Sequence, residues 1–364
     1  MTYKHASDLL YLIRCAVNGQ KPSCDRIARM DLEQVYREAE RHFLTAAAAY
    51  ALEMADVKKD QFSRAKASAI RKSILLDVDL KTITQKMEAE NIWFMPLKGA
   101  VIKDLYPFFG MRQMADLDIL FDETRTADVK RIMEDSGFRT EYFGGGPHDV
   151  YYKDPVSNFE MHRTLFAKGS QFYEYFRDVR KRLLPVSKCK YAFAAEDFYI
   201  YMICHEYKHY SGSGTGLRSL LDTYICLKKS ELDMSYIEEE VKKLGIDVYE
   251  RENRSLAHHL FSGRGLTSGD KRMLRYILSS GTYGTMTHFV RNRVKENGGS
   301  KIRYMTKRFF VPFRKSDPEY SNFESQYSQF YKHRVLLPAL LVFRAGRAVY
   351  NGRIVKELNV LRNV

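Results

Sequence analysis

Apolar residues recur at three- and four-residue spacing through LEQVYREAERHFLTAAAAYALEMA, an alanine-rich segment that this period predicts to be helical. QFSRAKASAIRKSILLDVDLKTITQKMEAENI carries the same period onward as a second long helix. The texture changes at Trp93. WFMPLKG is a short apolar run ending in glycine, AVIKDLY has helical spacing, and ADLDILF is an apolar run with carboxylates inserted. TADVKRIMEDSGF reads as an amphipathic helix closed by Gly137, and HDVYYKD and NFEMHRTLF alternate as strands around a turn at DPVSN. From Ala195 the helical period returns in EDFYIYMICHEYKHY, LRSLLDTYICLKK and DMSYIEEEVKKLG, with GSGTG looping between the first two and Pro338 splitting the last helix pair. The pattern predicts an α+β chain with a helical region over 1–90, a mixed α/β core over 91–170 and a second helical region over 171–364.

Composition narrows the setting. The longest apolar run, VLLPALLVF, is far short of the ~20 residues of a membrane span and contains a proline, so no span is expected. MTYKHASDLLYLIRCAVNGQ has too little apolar sequence before Arg14 for a secretory signal, and a cytoplasmic location is expected. The five cysteines are scattered without a C-x-x-C pair, which suits free thiols in a reducing compartment. A net charge of +14 favours phosphate-bearing partners or, more simply, a soluble surface. The basic, aromatic stretch RNRVKENGGSKIRYMTKRFFVPFRK can track a nucleic-acid backbone or form a solvated helix face with aromatic core contacts. The second reading is preferred, so nucleic acid is not the favoured partner.

The chemistry concentrates in the α/β core. Asp116 and Asp118 stand two apart in ADLDIL, which on a strand puts both on one face while Leu117 and Ile119 face the other way. Paired carboxylates on an apolar strand repel each other, and a divalent cation removes the repulsion. Mg²⁺ commonly binds through one or two carboxylates plus substrate phosphates. Upstream, Lys98 and Gly99 join an apolar strand to a helix, where backbone N–H groups and a lysine can receive phosphate. Arg112 precedes the pair and can clamp an oxyanion. Glu160 and His162 in NFEMHR are again two apart, and a third carboxylate on a neighbouring strand would complete a two-metal cluster. His162 touches substrate, orients Glu160, or is simply a satisfied core histidine. His148, after three glycines, reads as part of a flexible hairpin loop rather than a substrate loop.

LKGA, LYP, R-x-M-A-D-L-D and F-E-M-H-R resemble the uncharacterised nucleotidyltransferase family of the polymerase β-like nucleotidyltransferase superfamily. The N-terminal helices, the H-x-x-x-H helix, the G-L-R-S-L-L-D segment and the proline-split C-terminal helix look similar too, so the resemblance covers most of the chain. It implies a small mixed sheet with helices behind it. Asp116 and Asp118 would hold Mg²⁺ (Mn²⁺ as a substitute) and a nucleoside triphosphate, and Glu160 would bind metal or take the acceptor's proton. Lys98 and Gly99 would cradle phosphate. The implied reaction moves a nucleoside monophosphate onto the hydroxyl of a small molecule, sugar, peptide or protein and releases pyrophosphate. The resemblance also implies a bacterial source. Where the superfamily turn usually has serine or glycine after its glycine, Ala100 stands here, so phosphate binding would lean on backbone N–H groups, Lys98 and Arg112. The competing readings are a degenerate module that binds nucleotide or RNA, and a zinc hydrolase.

The zinc reading rests on HEYKH, His205 to His209, which matches H-E-x-x-H. Two histidines at that spacing share a helix face, but Thr215 stands where the extended motif needs a third histidine. His205 and His209, with Lys208, are therefore expected to line the far wall of the transferase cleft as substrate contacts, or to brace their helix against the Gly216–Arg218 turn and Asp222.

Overall fold

The chain opens on α1 (Tyr3–Val17), α2 (Cys24–Ala28), α3 (Leu32–Arg41), α4 (Thr45–Met54) and the 30-residue α5 (Asp60–Ala89). The structure is a computed structural model that describes residues 3–315, 320, 323, 324 and 327–362. Ser23 and Asp31 begin α2 and α3 by accepting the N–H groups of Arg26 and Gln34. The unbroken helical period of residues 32–55 is interrupted in the structure at Phe43, which adopts φ +56°. Distant groups cause the break. Gln113 Oε1 accepts the Ala46 N–H at 3.0 Å and the Thr45 hydroxyl at 2.9 Å, and so caps α4 from outside. The buried His42 accepts the Leu217 N–H at Nδ1.

The sheet follows: β1 (Phe94–Pro96), the short α6 (Gly99–Ile102), β2 (Leu117–Phe121), α7 (Thr126–Glu134), β3 (Arg139–Tyr142), β4 (His148–Lys153) and β5 (Ser157–His162). The strand order is β1-β2-β5-β4-β3, with β2 and β5 parallel and the other neighbours antiparallel. Leu117, Ile119, Phe121, Phe159 and Met161 bury one face against α5 and α7. Leu120 points to the opposite face and joins the core of α9. β3 is an added strand that its exposed, charged sequence did not advertise.

Beyond the sheet come α8 (Tyr173–Phe176), a hairpin of β6 (Leu183–Pro185) and β7 (Tyr191–Phe193), then α9 (Ala195–Gly212), α10 (Leu217–Lys229), α11 (Met234–Lys243), α12 (Asp247–Ser262), α13 (Ser268–Ser280), α14 (Met286–Glu296) and α15 (Lys301–Phe310). Further helices span Leu337–Tyr350 and Arg353–Arg362. The helices on either side of the sheet share one core, in which Leu9, Leu12 and Ile13 of α1 meet Leu256 and Phe261 of α12. Each such fully buried side chain contributes about 1.5–3 kcal/mol. The chain is α+β, a mixed sheet held within a helical body. In the basic aromatic stretch Tyr304 is buried and donates to Glu357, whereas Phe309, Phe310 and Phe313 stay exposed. Among the described residues no helix is long and apolar enough to cross a membrane.

Candidate active site

Parallel register sets Asp118 of β2 beside Glu160 of β5, and Leu120 beside His162. Antiparallel register sets His148 of β4 opposite His162. Leu117, Ile119, Phe159 and Met161 face the α5–α7 core, so the two-residue period turns Asp118, Glu160 and His162 to the other face together. Asp116 lies one residue before β2 rather than on it, and is half-buried.

Lys98 shapes the turn between β1 and α6. Its φ of +41° is one that non-glycine residues rarely adopt. Such strain persists only where surrounding contacts over-determine it. Here the Leu97 carbonyl accepts the Ala100 N–H at 3.0 Å and the Leu97 N–H donates to the Asp118 carbonyl at 2.9 Å. Lys98 Nζ donates to Asp118 Oδ1 at 2.7 Å. Among the described residues the backbone N–H groups of Lys98 and Gly99 have no hydrogen-bond acceptor, so both are available to an anion. Gly99 is required by close approach. A Cβ there would lie 2.6 Å from Arg112 Nη1 and 2.8 Å from Met114 Cε. Gly99→Ala is expected to cost about 1–3 kcal/mol by overpacking, read as a lower urea midpoint with unchanged m-value.

The charges interlock. Asp118 is buried, which works against its charge, but Lys98 and His162 outweigh burial and hold its carboxyl well below the usual range. His162 Nε2 lies 2.8 Å from Asp118 Oδ1 and 3.5 Å from Glu160 Oε2. Burial opposes the imidazolium, yet these two carboxylates raise the His162 pKa. Asp116 goes the other way. Burial, then Asp118, then Glu160 push its carboxyl up, with Lys98 and Arg218 only partly offsetting them. Three carboxylates that disfavour one another's charge are a donor set suited to a hard divalent cation, so the chemistry of Asp116, Asp118 and Glu160 fits Mg²⁺.

α9 forms the facing wall. Tyr201, His205, Lys208 and His209 fall on one side of the helix, and the Lys98, Asp118 and Glu160 charges act on Lys208 and His209. Both side chains are exposed to solvent, yet desolvation by their neighbours is the leading influence on each. Desolvation, then Lys208 and Lys98, push the His209 pKa down to about 4, and burial and then Lys98 hold His205 well below the usual imidazole range. Both rings are therefore neutral at pH 7.

Two cations beside Asp116 escaped the sequence reading as site residues. Lys72 of α5 donates to the Ala115 carbonyl at 2.6 Å and feels the Asp116 charge. Arg218, at the start of α10, donates to the Gln113 carbonyl at 3.1 Å and also interacts with Asp116. Neither carried a local signal, because each reaches the site from a different helix.

Arg112 corrects the expectation of a free oxyanion clamp. It is buried, its Nε and Nη2 donate to the two carboxylate oxygens of Asp222 at 2.9 and 2.8 Å, and Tyr106 donates to Asp222 Oδ1 at 2.6 Å. Its remaining Nη1 lies against Met114 Sδ, behind Gly99. Arg112 thus backs the Lys98–Gly99 turn instead of projecting a guanidinium edge into the cleft.

The HEYKH helix lacks zincin geometry. Glu206 is buried on the side away from the cleft, accepting from Thr223 at 3.2 Å and Asn253 at 3.3 Å. Among the described residues the one converging set of three candidate metal ligands is His148, Glu160 and His162, so His205 and His209 have no third partner.

Carboxylates beside a lysine–glycine turn with two available N–H groups form a setting suited to a phosphate-bearing ligand. The chain belongs to the uncharacterised nucleotidyltransferase family, whose model matches residues 28–262 and so takes in the sheet, the turn, α9 and α10. No curated protein and no solved structure matches the chain.

Proposed function

We propose that the protein moves a nucleoside monophosphate from a nucleoside triphosphate to an acceptor hydroxyl in a Mg²⁺-dependent reaction. The observation that supports this best is the pairing of Asp118 with Glu160 on adjacent parallel strands, next to the strained Lys98–Gly99 turn. Asp116, Asp118 and Glu160 would hold Mg²⁺, which when bound neutralises charge on the phosphates and on the leaving pyrophosphate. Lys98 and the N–H groups of Lys98 and Gly99 receive phosphate oxygens. Arg218 of α10 and Lys208 of α9 bring further positive charge. Glu160, kept ionised chiefly by its hydrogen bond with His162 in spite of burial, takes the proton of the attacking hydroxyl. The oxygen–phosphorus bond forms at the α-phosphorus, the bond to the β-phosphate oxygen breaks, and pyrophosphate leaves. The neutral His205 and His209 suit contact with the acceptor.

The test uses triphosphates labelled at the α or the γ position, incubated with the full chain, Mg²⁺ and cell lysate. Label from the α position should enter an acceptor and γ label should leave in pyrophosphate. Transfer of γ label would identify a kinase, and binding without pyrophosphate release from any acceptor would identify a degenerate binding module. Arg218→Met should weaken Mg²⁺–nucleotide binding by ~10-fold in isothermal titration, the scale of one charged hydrogen bond.

A further inference from the structure

We infer that His148, Glu160 and His162 form a nitrogen-bearing site for a zinc-class transition ion, next to the aspartates and sharing only Glu160 with the proposed Mg²⁺ set. Their ligand atoms all lie within 4.8 Å of one another. Glu160 Oε2 is 3.6 Å from His148 Nε2 and 3.5 Å from His162 Nε2. A tetrahedral zinc with bonds near 2.0–2.1 Å separates its ligands by roughly 3.3 Å. The two glutamate–histidine separations are within tenths of an ångström of that, and the two histidine nitrogens, at most 4.8 Å apart, would close the rest of the way by side-chain rotation. Mg²⁺ prefers oxygen, whereas two imidazoles with one carboxylate suit zinc, cobalt and their neighbours.

The backbone prepares this geometry. His148 and His162 are directly opposed across β4 and β5, with ring centroids 4.8 Å apart. The glycine loop before His148 is tied down at both ends. Gly144 N–H donates to Asp149 Oδ1 at 2.7 Å, and Arg163 pairs with Asp149 and donates its backbone N–H to the Pro147 carbonyl at 2.8 Å. His148 is therefore the fixed first residue of a strand, not the tip of a flexible loop as the three glycines suggested. His162 is buried and its Nδ1 has no hydrogen-bond partner among the described residues, so binding an ion through Nε2 would replace the bond to Asp118 and leave the ring proton on Nδ1.

Co²⁺ is a direct probe, because imidazole-bound tetrahedral cobalt absorbs in the visible. The metal-free full chain, titrated with Co²⁺ in the absence of nucleotide, should develop one equivalent of a visible d–d band that Zn²⁺ abolishes and excess Mg²⁺ does not. His148→Ala and His148→Asn should each weaken Co²⁺ binding at least 10-fold with the far-ultraviolet circular dichroism unchanged, while the exposed His258→Ala serves as the neutral control. A wild-type chain without the band overturns the proposal. So does a band that survives both His148 variants, or one lost instead on His205→Ala or His209→Ala. The measurement needs no nucleotide or acceptor, so its outcome is independent of whether nucleotide transfer is found.

Discussion

Asp116→Asn and Asp118→Asn are expected to abolish nucleotide transfer alike while shifting stability in opposite directions. Each removes a carboxylate from the proposed metal set, and losing such an electrostatic group costs ~10²–10³-fold in rate or more. Stability separates them. The Asp116 charge is disfavoured by burial and by Asp118 and Glu160, so the neutral amide relieves repulsion. In metal-free buffer Asp116→Asn should gain about 0.5–2 kcal/mol, the usual yield of relaxing a strained functional site. Asp118 carries the bonds of Lys98 and His162 on one oxygen, and both it and Lys98 are largely sequestered from water. Asp118→Asn leaves the ammonium without its counter-charge, and breaking a buried pair in this way costs about 3–5 kcal/mol. Urea titrations in the presence of chelator, set beside label transfer with Mg²⁺, read both quantities. Equal shifts of the same sign would remove the electrostatic account of the site, and transfer by either variant near the wild-type rate would remove the aspartates from the reaction.

The parts of this site that obey a local period were legible in the chain. Asp118 with its apolar flanks, and Glu160 with His162, announce one face of a strand, and Lys98–Gly99 announces a turn. The parts that depend on register or on distant partners were not. Nothing in ADLDIL says that β5 will lie parallel to β2, yet that pairing brings Glu160 beside Asp118, and the antiparallel pairing of β4 with β5 brings His148 beside His162. The break between α3 and α4 has neither glycine nor proline to mark it, because Gln113 and His42 make it through tertiary contacts. Asp116 fell just outside its strand since the ladder with β5 begins at Leu117. The HEYKH motif was ambiguous for a related reason. Its spacing fixes which side of α9 the histidines share, but what that side faces is decided by the packing of Glu206 against α10 and α12.

Arg112 is the residue whose role changed most between sequence and structure, and breaking its pair with Asp222 is the second large effect expected. Asp222→Ala would leave a buried guanidinium without its bidentate partner and the Tyr106 hydroxyl without an acceptor. The cost should be about 3–5 kcal/mol, measured as a fall in urea midpoint. The double variant Arg112→Met/Asp222→Leu removes both charges together and should recover much of that loss, because apolar side chains of similar volume often replace a buried ion pair at little cost. Recovery should stop short of wild type by about 1–3 kcal/mol for the orphaned Tyr106 hydroxyl. The same double variant tests function. Arg112 backs Gly99 through Nη1 and presents no other free edge, so a folded double variant should bind Mg²⁺–nucleotide within a few-fold of wild type. A loss of 100-fold or more, about 2.7 kcal/mol, would mean that Arg112 leaves Asp222 to grip phosphate when nucleotide binds. In that event the Asp222 pair would be a resting state of the clamp, and Asp222→Asn, which loosens it while keeping its shape, should bind nucleotide more tightly than wild type.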